Sequence, residues 1–245
     1  MSSTIIYGRH AVAALLGNAP ERVVNLYVAP SAMESIAEIA EARGVRIEPM
    51  TPGLLHKELE GVVHQGIVAR ASLGGILQDY NAFVRALPTT PASALVILNE
   101  ITDPYNVGAI IRSAVGFGAS GVLIPSHNQA PITGIVAKAS AGTVFSIPLV
   151  GISNENQTIM DLKKRGFWIY GLAGEGDHEL PQEKFDAPAV FVVGSESEGM
   201  RQKTREHCDI LLRIPMSPKV ESLNASVSAA VVLAAWSVQH PDALD

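Results

Sequence analysis

The stretch VFVVGSESEGM (190–200) decides the fold class of this 245-residue chain, because an apolar run ends there in glutamates, serines and glycines. After a short gap follows IPMSPKVESLNASVSAAVVLAAW (214–236), where small hydroxyl and amide residues again adjoin an apolar run. An apolar run of this length between polar segments predicts a buried strand. In open α/β sheets ligands bind beyond the carboxyl ends of the strands. The sequence therefore predicts a ligand site where Gly194 and Gly199 bracket Glu196 and Glu198.

The elements around this stretch alternate in type. From Leu95 onwards the order is LVILNEI, a helix over about 106–117, GVLIP, a helix near 132–140, FWIYGLAG, the opening stretch and a last helix from about 224. Alternating apolar strands and helices predict a parallel sheet that helices cover on both faces. The first 72 residues alternate as well and predict a small α/β domain. The Gly74–Gly75 pair and PTTPASA (88–94) predict a linker over 73–92, which leaves a second domain over 93–245.

Composition excludes several classes of protein. Hydrophobic residues make up 47% of the chain and charged residues 17%, which is enough to fill a core. No apolar run reaches about 18 residues, and the N-terminus lacks the pattern of a signal peptide. The single cysteine, Cys208, cannot form a disulfide within the chain, and the seven histidines show no zinc-site spacing. We therefore expect a cytoplasmic protein with no membrane segment and no metal. The net charge of −6 argues against binding nucleic acid through bulk charge.

The stretch GFGASG (116–121) matches the glycine pattern of dinucleotide-binding folds, which raises the possibility of a dehydrogenase. In those folds a strand precedes the glycines and a helix follows them, so that the pyrophosphate meets the start of the helix. Here the order is reversed, since a predicted helix precedes the glycines and GVLIP follows them. These glycines are therefore expected to end a helix and turn the chain.

The segment NEITDPYNVGAIIRSAVGFGA (99–119) combines a helix start with an isolated charge. Asp103 and Pro104 are typical of the first positions of a helix. Arg112 is the only charged residue between Asp103 and His127, and an unpaired buried charge is costly. Two interpretations stay open at this point. Arg112 forms a structural ion pair with Glu196 or Asp103, or it holds a phosphate or a reacting group.

The last predicted helix carries no charge from Ser222 to Gln239. Its apolar residues lie on more than one face, so more than one face should be buried. This favours a dimer contact or a central position in the fold. At its start, Ser222 and Asn224 are either helix caps or residues of the site.

Three ordered motifs, NEITDPYNVGAIIRSA, VVGSESEGM and IPMSPKVESLNASVSAA, resemble those of the SpoU (TrmH) family of SPOUT methyltransferases. IIYGRHAVAALL, KASAGTVFSIPLV, WIYGLAGEGDHEL and MRQKTREHCD extend the resemblance over nearly the whole chain, towards the bacterial enzymes that methylate a guanosine 2'-hydroxyl in 23S rRNA. The resemblance implies an L30e-like RNA-binding domain over 1–72 and a SPOUT methyltransferase domain over 93–245. It also implies a C-terminal trefoil knot, which is a rare exception to the usual rules of chain connection.

By the same resemblance, the protein transfers a methyl group from S-adenosylmethionine to the 2'-hydroxyl of a guanosine in 23S rRNA or in a ribosomal assembly intermediate. It works as a homodimer whose sites are built across the interface. The residues that match catalytic positions are Asn106, Arg112, Glu196, Ser222 and Asn224. The residues expected around the cofactor are Gly171, Gly194, Ile214, Met216 and Leu223, with Gly171 and Met216 on loops. Arg112 is expected to grip the nucleotide phosphate, because a guanidinium is normally always protonated and is a poor base.

Three positions depart from the family pattern: Ser197 and Pro218 stand where glycine is usual, and Ala225 replaces a valine. Pro218 should stiffen a loop beside the cofactor. Two other functions stay open, namely 2'-O-methylation of transfer RNA or of another ribosomal site, and a catalytically silent RNA-binding or ribosome-assembly factor. An RNA substrate also requires a local basic surface on this acidic chain, to which Arg9, Arg22, Arg70, Arg112 and the cluster from Arg201 to Arg205 are the expected contributors.

Overall fold

The computed structural model describes residues 3–51, 59–195 and 199–244, which form two β-sheets and the helices that pack on them. The strands are β1 Ser3–Tyr7, β2 Val23–Val28, β3 Ile47–Pro49, β4 Ile67–Ser72, β5 Leu77–Asp79, β6 Ala94–Asn99, β7 Gly121–Pro125, β8 Leu149–Ile152, β9 Trp168–Leu172, β10 His178–Glu179, β11 Ala189–Gly194 and β12 Ile210–Arg213. The α-helices are α1 Arg9–Asn18, α2 Ala37–Ala42, α3 Tyr80–Ala86, α4 Pro104–Gly116, α5 Gly134–Ala139, α6 Glu155–Lys164, α7 Gln202–His207 and α8 Ala225–Gln239.

The first sheet belongs to the N-terminal part and has the strand order β1-β4-β2-β3. Strand β4 is antiparallel to both β1 and β2, whereas β3 is parallel to β2. Helix α1 buries Val12, Leu15 and Leu16 completely. The predicted small N-terminal α/β domain is confirmed, and its likeness to L30e stays a prediction.

The second sheet has eight strands in the order β10-β12-β9-β11-β6-β7-β8-β5, and every pairing in it is parallel. From β6 the chain adds β7 and β8 on one side and then crosses to β9 on the other, so the connection reverses direction beside β6. In open α/β sheets this reversal marks the usual ligand crevice. The predicted parallel sheet is confirmed. The trefoil knot stays a prediction.

Both faces of this sheet are covered by helices. Along β6, Leu95 and Ile97 belong to the same buried cluster as residues of α3 and α6, while Val96 and Leu98 cluster with residues of α4 and α8. Successive side chains of a strand point to opposite faces, so a strand buried on both sides is apolar at every position. This is why the run ALVIL carries no alternation of polar and apolar residues.

The stretch predicted as a linker, 73–92, contains regular structure. Strand β5 pairs with β8, with Leu77 opposite Leu149, and forms the edge of the large sheet. Helix α3 follows, and its N-cap residue Asp79 accepts a hydrogen bond from the Ala82 N–H at 2.9 Å. The division of the chain at 73 and 92 stays a prediction.

The N-terminal part packs directly on α5 and the turn after it. A Cβ atom added to Gly134 would lie 2.0 Å from the Ile5 carbonyl oxygen, so only glycine allows β1 and α5 to approach this closely. Asn18 Nδ2 donates to Ser146 Oγ at 3.0 Å across the same contact. Buried residues of α1 and α5 therefore belong to one continuous hydrophobic core.

Helix α8 is buried on one side only within the chain. Its inner residues Ala229, Val232, Leu233 and Trp236 are fully buried. On the outer side Val238 is 82% exposed and Val227 is 45% exposed. The exposed apolar residues rule out a fully central position for this helix, and the alternative of a dimer contact stays a prediction.

Candidate functional site

A cavity of about 300 Å³ lies beyond the carboxyl ends of β9, β11 and β12. The cavity lies at the strand edge where the sequence predicted a ligand site, and Ser195 and Gly199 of the polar stretch after β11 line it; the ligand site itself stays a prediction. Its lining residues are Leu172, Ala173, Gly174, Glu175, Val193, Gly194, Ser195, Gly199, Met200, Arg205, Leu212, Ile214, Met216, Glu221, Ser222, Leu223, Ala225 and Ser228.

The turn after β11 shapes one wall of the cavity. The Ser195 N–H donates to the Gly199 carbonyl at 3.2 Å, and the Gly199 N–H donates back to the Ser195 carbonyl at 2.9 Å. Gly199 has a φ of 65°, which favours glycine. A Cβ added to Gly194 would lie 2.5 Å from the Gly199 carbonyl carbon, so a second glycine is needed where the turn folds back. Glu196, Ser197 and Glu198, all named in the sequence analysis, lie outside the described residues.

Asn106 and Asn224 meet beside this cavity. Asn224 Nδ2 donates to Asn106 Oδ1 at 3.0 Å, and only 8% of Asn106 is exposed. Asn224 is also the N-cap of α8, where its Oδ1 accepts from the Ser226 N–H at 2.8 Å and from Ser226 Oγ at 2.6 Å. The cap and the contact with Asn106 fix both ends of the Asn224 amide. Asn224 is therefore a helix cap and, in the same geometry, a polar partner of the first motif.

The structure brings most of the predicted cofactor residues to the cavity. Gly194, Ile214, Met216 and Leu223 line it, and so does Ser222, which was expected to be catalytic. Gly171 was expected on a loop, and this expectation is wrong, because Gly171 lies inside β9. A Cβ on Gly171 would lie 2.6 Å from Met200 Cε and 2.8 Å from Cys208 Sγ, so this glycine makes room for side chains behind the cavity wall.

Arg112 lies on a different face of α4 from Asn106. Six residues correspond to 600° of helical rotation, which leaves the two side chains about 120° apart, whereas Arg112 shares its face with the exposed Tyr105. Arg112 is itself exposed, so the expectation of a buried charge is wrong. Among the residues that the structure describes, none forms an ion pair or a hydrogen bond with Arg112. Asp103 is instead the N-cap of α4, with its Oδ1 accepting from the Tyr105 N–H at 2.9 Å.

Sequence reasoning assigned none of the charged residues of the cavity to the cofactor site, and it placed Arg205 on the expected RNA-binding surface instead. Arg205 and Glu175 form an ion pair and both line the cavity, as does the carboxylate residue Glu221. The hydrogen bond from Arg205 holds the pKa of Glu175 below its usual range. The only available signal was Glu175 in the motif AGEGD, directly after β9, where a polar residue follows a buried strand.

The two remaining departures from the family pattern are accommodated. Pro218 takes the second position of a turn in which the Val220 N–H donates to the Ser217 carbonyl at 3.1 Å, and proline is favoured at that position. Ala225 is the first residue of α8 and is 4% exposed. The prediction for GFGASG is confirmed, since α4 ends at Gly116, Gly118 has a φ of 76° and β7 begins at Gly121.

A second cavity, of about 250 Å³, lies beyond the ends of β6, β7 and β8. Its lining residues are Asn99, Glu100, Pro125, His127, Asn128, Ser153, Asn154, Glu155, Asn156, Arg201 and Thr204. The two cavities adjoin, because Gly199 and Met200 line the first and Arg201 lines the second. Nothing in the sequence marked this second space.

Several of the expected basic contributors are engaged within the chain. Arg22 donates to the carbonyls of Ser72, Gly74 and Gly75 at 3.0 to 3.3 Å, and so holds the chain after β4. Arg201 forms an ion pair with Glu100. Within the described ranges, no cluster of three or more potential metal ligands occurs, and no helix is long and apolar enough to cross a bilayer.

Two family models match the chain. The model described as the SpoU rRNA Methylase family matches residues 93–234, which is more than half of the chain. The chain belongs to the SpoU rRNA methylase family. A second model, described as RNA 2'-O ribose methyltransferase substrate binding, matches residues 5–73, where the first sheet of this SpoU family member lies.

Curated relatives of this SpoU family member cover nearly all of it. The 23S rRNA (guanosine-2'-O-)-methyltransferase RlmB of Pectobacterium atrosepticum is 41% identical over 236 residues, covering 94% of this chain and 96% of the relative. The enzyme of the same name from Escherichia coli K12 is 38% identical over 235 residues, with 94% and 96% covered.

Solved structures share the fold. The SpoU methyltransferase AviRb from Streptomyces viridochromogenes, in complex with AdoMet, superimposes with a TM-score of 0.79 at 22% identity, covering 98% of this chain and 91% of that one. An AdoMet-bound rRNA methyltransferase from Sinorhizobium meliloti gives a TM-score of 0.76 at 21% identity, with 96% and 86% covered. At these identities the likeness concerns the fold.

Proposed function

We propose that this protein transfers a methyl group from S-adenosylmethionine to the ribose 2'-hydroxyl of a guanosine in 23S rRNA. The observation that carries the proposal is the cavity at the ends of β9, β11 and β12, which the Asn106–Asn224 pair adjoins in a chain 41% identical to a 23S rRNA (guanosine-2'-O-)-methyltransferase. A ribosomal RNA substrate implies that the protein acts in the cytoplasm.

The cavity fits the cofactor chemically. Leu172, Val193, Ile214, Met216 and Leu223 offer an apolar wall for an adenine ring. The missing side chain of Gly194 lets the backbone of the turn close on the space, and backbone groups can then recognise the base edge. Glu175 and Glu221 carry negative charge, which suits a cofactor with a positive sulfur and an ammonium group. When bound, S-adenosylmethionine supplies a methyl carbon that its positive sulfur already activates.

The protein's own task is then to align the 2'-hydroxyl and to lower its pKa, so that its proton can pass to solvent water. The Asn106 and Asn224 amides, fixed by their mutual hydrogen bond, and the Ser222 hydroxyl would orient the ribose. Glu196, at its motif position, would assist them. A hydroxyl held by such donors is positioned for in-line attack, and a nearby positive charge lowers the pKa of that hydroxyl.

We infer that this positive charge is the Arg112 guanidinium of a second copy of the chain. Arg112 and Tyr105 share the exposed face of α4, and Val227 and Val238 form an exposed apolar face on α8, the helix that packs against α4. A homodimer that buries these faces would bring one protomer's Arg112 towards the other's cavity. Arg112 would there bind the phosphate of the target nucleotide, for which a planar guanidinium is well suited.

The experiment that tests the function is transfer of labelled methyl from S-adenosylmethionine to 23S rRNA lacking its native modifications, followed by nucleoside mass analysis. The expected product is 2'-O-methylguanosine, absent with Arg112→Ala and Ser222→Ala. Label in transfer RNA alone would assign the protein to a different substrate. Absence of label with intact cofactor and RNA binding would instead identify a silent RNA-binding factor.

A further inference from the structure

The second cavity, beyond β6, β7 and β8, is built from groups that neither the cofactor nor the reacting hydroxyl requires. Asn99 is 1% exposed at the end of β6, and its Nδ2 donates to Glu155 Oε2 at 2.7 Å. The other carboxylate oxygen, Glu155 Oε1, is buried and has no hydrogen-bond partner in the described part of the chain. Thr204, the adjacent hydroxyl, lies with its Oγ1 3.4 Å from Asn156 Oδ1. A buried acceptor without a donor is costly, so a ligand that donates to it would be stabilised there.

The backbone at this cavity is also strained. Glu100 and Asn128 both line it with positive φ values, of 59° and 53°. Asparagine tolerates this conformation, but glutamate does so at a cost. Asn128 Nδ2 donates to Glu100 Oε1 at 2.8 Å, and Arg201 forms an ion pair with the same carboxylate. Hydrogen bonds therefore hold the strained residues in place around the space, as is common where strain serves a site.

The charges of the lining restrict what can bind. Two carboxylates, Glu100 and Glu155, disfavour a phosphate, and the guanidinium of Arg201 disfavours a bare cation. The remaining groups are asparagine amides, hydroxyls and the His127 ring. This set matches a neutral, planar ligand that carries hydrogen-bond donors and acceptors on one edge, which is the chemistry of a nucleobase.

We propose that this cavity binds an unstacked guanine base of the RNA substrate, with Glu155 as the residue that reads it. Guanine presents two adjacent donors, N1–H and the 2-amino group, beside the acceptor O6. Glu155 Oε1 can accept from the 2-amino group, which inosine lacks, whereas Oε2 already accepts from Asn99 and the carboxylate also hydrogen-bonds to Thr204. Asn128 and Arg201 supply donors for O6, and the His127 ring and the Arg201 plane are groups on which RNA-binding proteins stack bases.

The position of the cavity connects it to the proposed methyl transfer, on which this inference rests. Strands β6 and β11 are neighbours, with Asn99 paired in register with Gly194, so the polar ends of the two strands lie about 5 Å apart. Asn99 Oδ1 also accepts from the Arg201 N–H at 3.3 Å, which fixes the partition between the two cavities. A base bound beyond β6 therefore belongs to a nucleotide at or next to the one whose ribose meets the first cavity.

The test uses the full-length protein saturated with S-adenosylmethionine, so that nucleotides cannot enter the first cavity. Binding of guanosine, inosine and adenosine 5'-monophosphates is measured by NMR titration of the side-chain amides of Asn99 and Asn128. Inosine lacks only the 2-amino group, so it should bind roughly tenfold more weakly, as loss of a hydrogen bond to a charged group implies. Glu155→Gln should abolish the preference for guanine, and Glu206→Gln on the exposed surface of α7 should retain it.

Three outcomes would overturn the proposal: equal binding of the three nucleotides, a guanine preference that survives in Glu155→Gln, or no perturbation of the Asn99 and Asn128 amides. A kinetic measurement adds a second criterion. Glu155→Gln should raise the KM for RNA roughly tenfold and leave the Kd of S-adenosylmethionine unchanged. Methyl transfer to 23S rRNA without guanine binding would refute this inference alone. Guanine binding without methyl transfer would refute the proposed function alone.

Discussion

Replacement of Gly194 by alanine tests whether the close approach of β11 to the turn at 199–200 shapes the cofactor cavity. The added Cβ would lie 2.5 Å from the Gly199 carbonyl carbon, 2.6 Å from the Met200 nitrogen and 2.7 Å from the Gly199 oxygen. Carbon atoms in favourable contact are about 3.5 Å apart or more, so the backbone of the turn has to move by about 1 Å. Overpacking of this kind costs about 1–3 kcal/mol.

The displaced backbone is the cavity wall itself, so the cost should appear in cofactor binding. A loss of about 2 kcal/mol weakens binding by about 30-fold. Isothermal titration with S-adenosylmethionine measures this loss, and urea denaturation measures the accompanying change in the free energy of unfolding. Gly194→Ala with the affinity of the unmodified protein would refute the argument that glycine is needed for the wall.

Two other glycines provide matched controls. A Cβ on Gly171 would meet Met200 Cε, Cys208 Sγ and Leu211 Cδ2, which are ends of side chains that can move. Gly171→Ala should therefore affect cofactor binding less than Gly194→Ala does. A Cβ on Gly17 meets nothing within 4 Å. Gly17→Ala should leave binding unchanged and raise the free energy of unfolding by about 0.5–1 kcal/mol, because alanine loses less conformational freedom in a helix.

Three further predictions concern the interface, the α8 cap and the cysteine. If Arg112 serves the partner's site, mixing the inactive Arg112→Ala and Ser222→Ala proteins should recover about a quarter of the methyl-transfer activity. Half of the randomly formed dimers contain one chain of each kind, and one of the two sites in each such dimer is intact. No recovery would place Arg112 in its own chain's site. Asn224→Ala should lower the free energy of unfolding by about 2 kcal/mol in urea titrations, because α8 loses its cap and Asn106 loses a donor, whereas Asn224→Asp should retain the cap. Burial raises the pKa of Cys208 to about 12. The unfolded thiol ionises near pH 8.5, so stability should fall with rising pH above that value, and Cys208→Ala should remove this part of the slope.

The parts of the fold that follow from local sequence were predictable. Buried strands with helices on both faces leave continuous apolar runs, and β6 and β11 were identified on that basis. Asp103 followed by Pro104 predicted the start of α4. The Asp103 side chain accepts from the Tyr105 N–H as the cap, and Pro104 suits the first helical position because the N–H that proline lacks would have no partner there. The polar end of β11 was predicted to be a ligand edge from local sequence as well, because carboxylates directly after a buried strand are typical of a binding site.

The exposure of Arg112 was not predictable from its neighbours. The apolar residues around Arg112 show that α4 is largely buried, but they do not show which face of α4 stays exposed. That depends on where α8 packs against α4, which the local sequence does not determine. The structural ion pair, one of the two interpretations left open for Arg112, is therefore unnecessary for an exposed side chain. The resemblance to a family supplied a role for this residue that the physical pattern alone left undecided.

The second cavity was invisible in the sequence because its parts are distant along the chain. Asn99 and Glu155 are 56 residues apart and meet only because β6 and β8 end on the same edge of a parallel sheet. Glu175 and Arg205 are likewise joined by the strand order β12-β9-β11. Single-sequence patterns report local periodicity, whereas the partners across a parallel sheet depend on its topology.

The shared partition between the two cavities implies that their ligands affect each other. Gly199 and Met200 border the first cavity, Arg201 borders the second, and the Arg201 N–H is held by Asn99 at 3.3 Å. Residues 199–201 are therefore shared by the two cavities. A ligand in the first cavity that prefers one position of these residues also selects the position of the Arg201 side chain in the second cavity. Because coupling between two binding sites is reciprocal, a guanine base that prefers the same position must tighten the cofactor by the same factor. The enzyme would then hold its methyl donor most firmly when the correct base is in place, which makes base recognition a contribution to the specificity of methyl transfer and not only to RNA affinity.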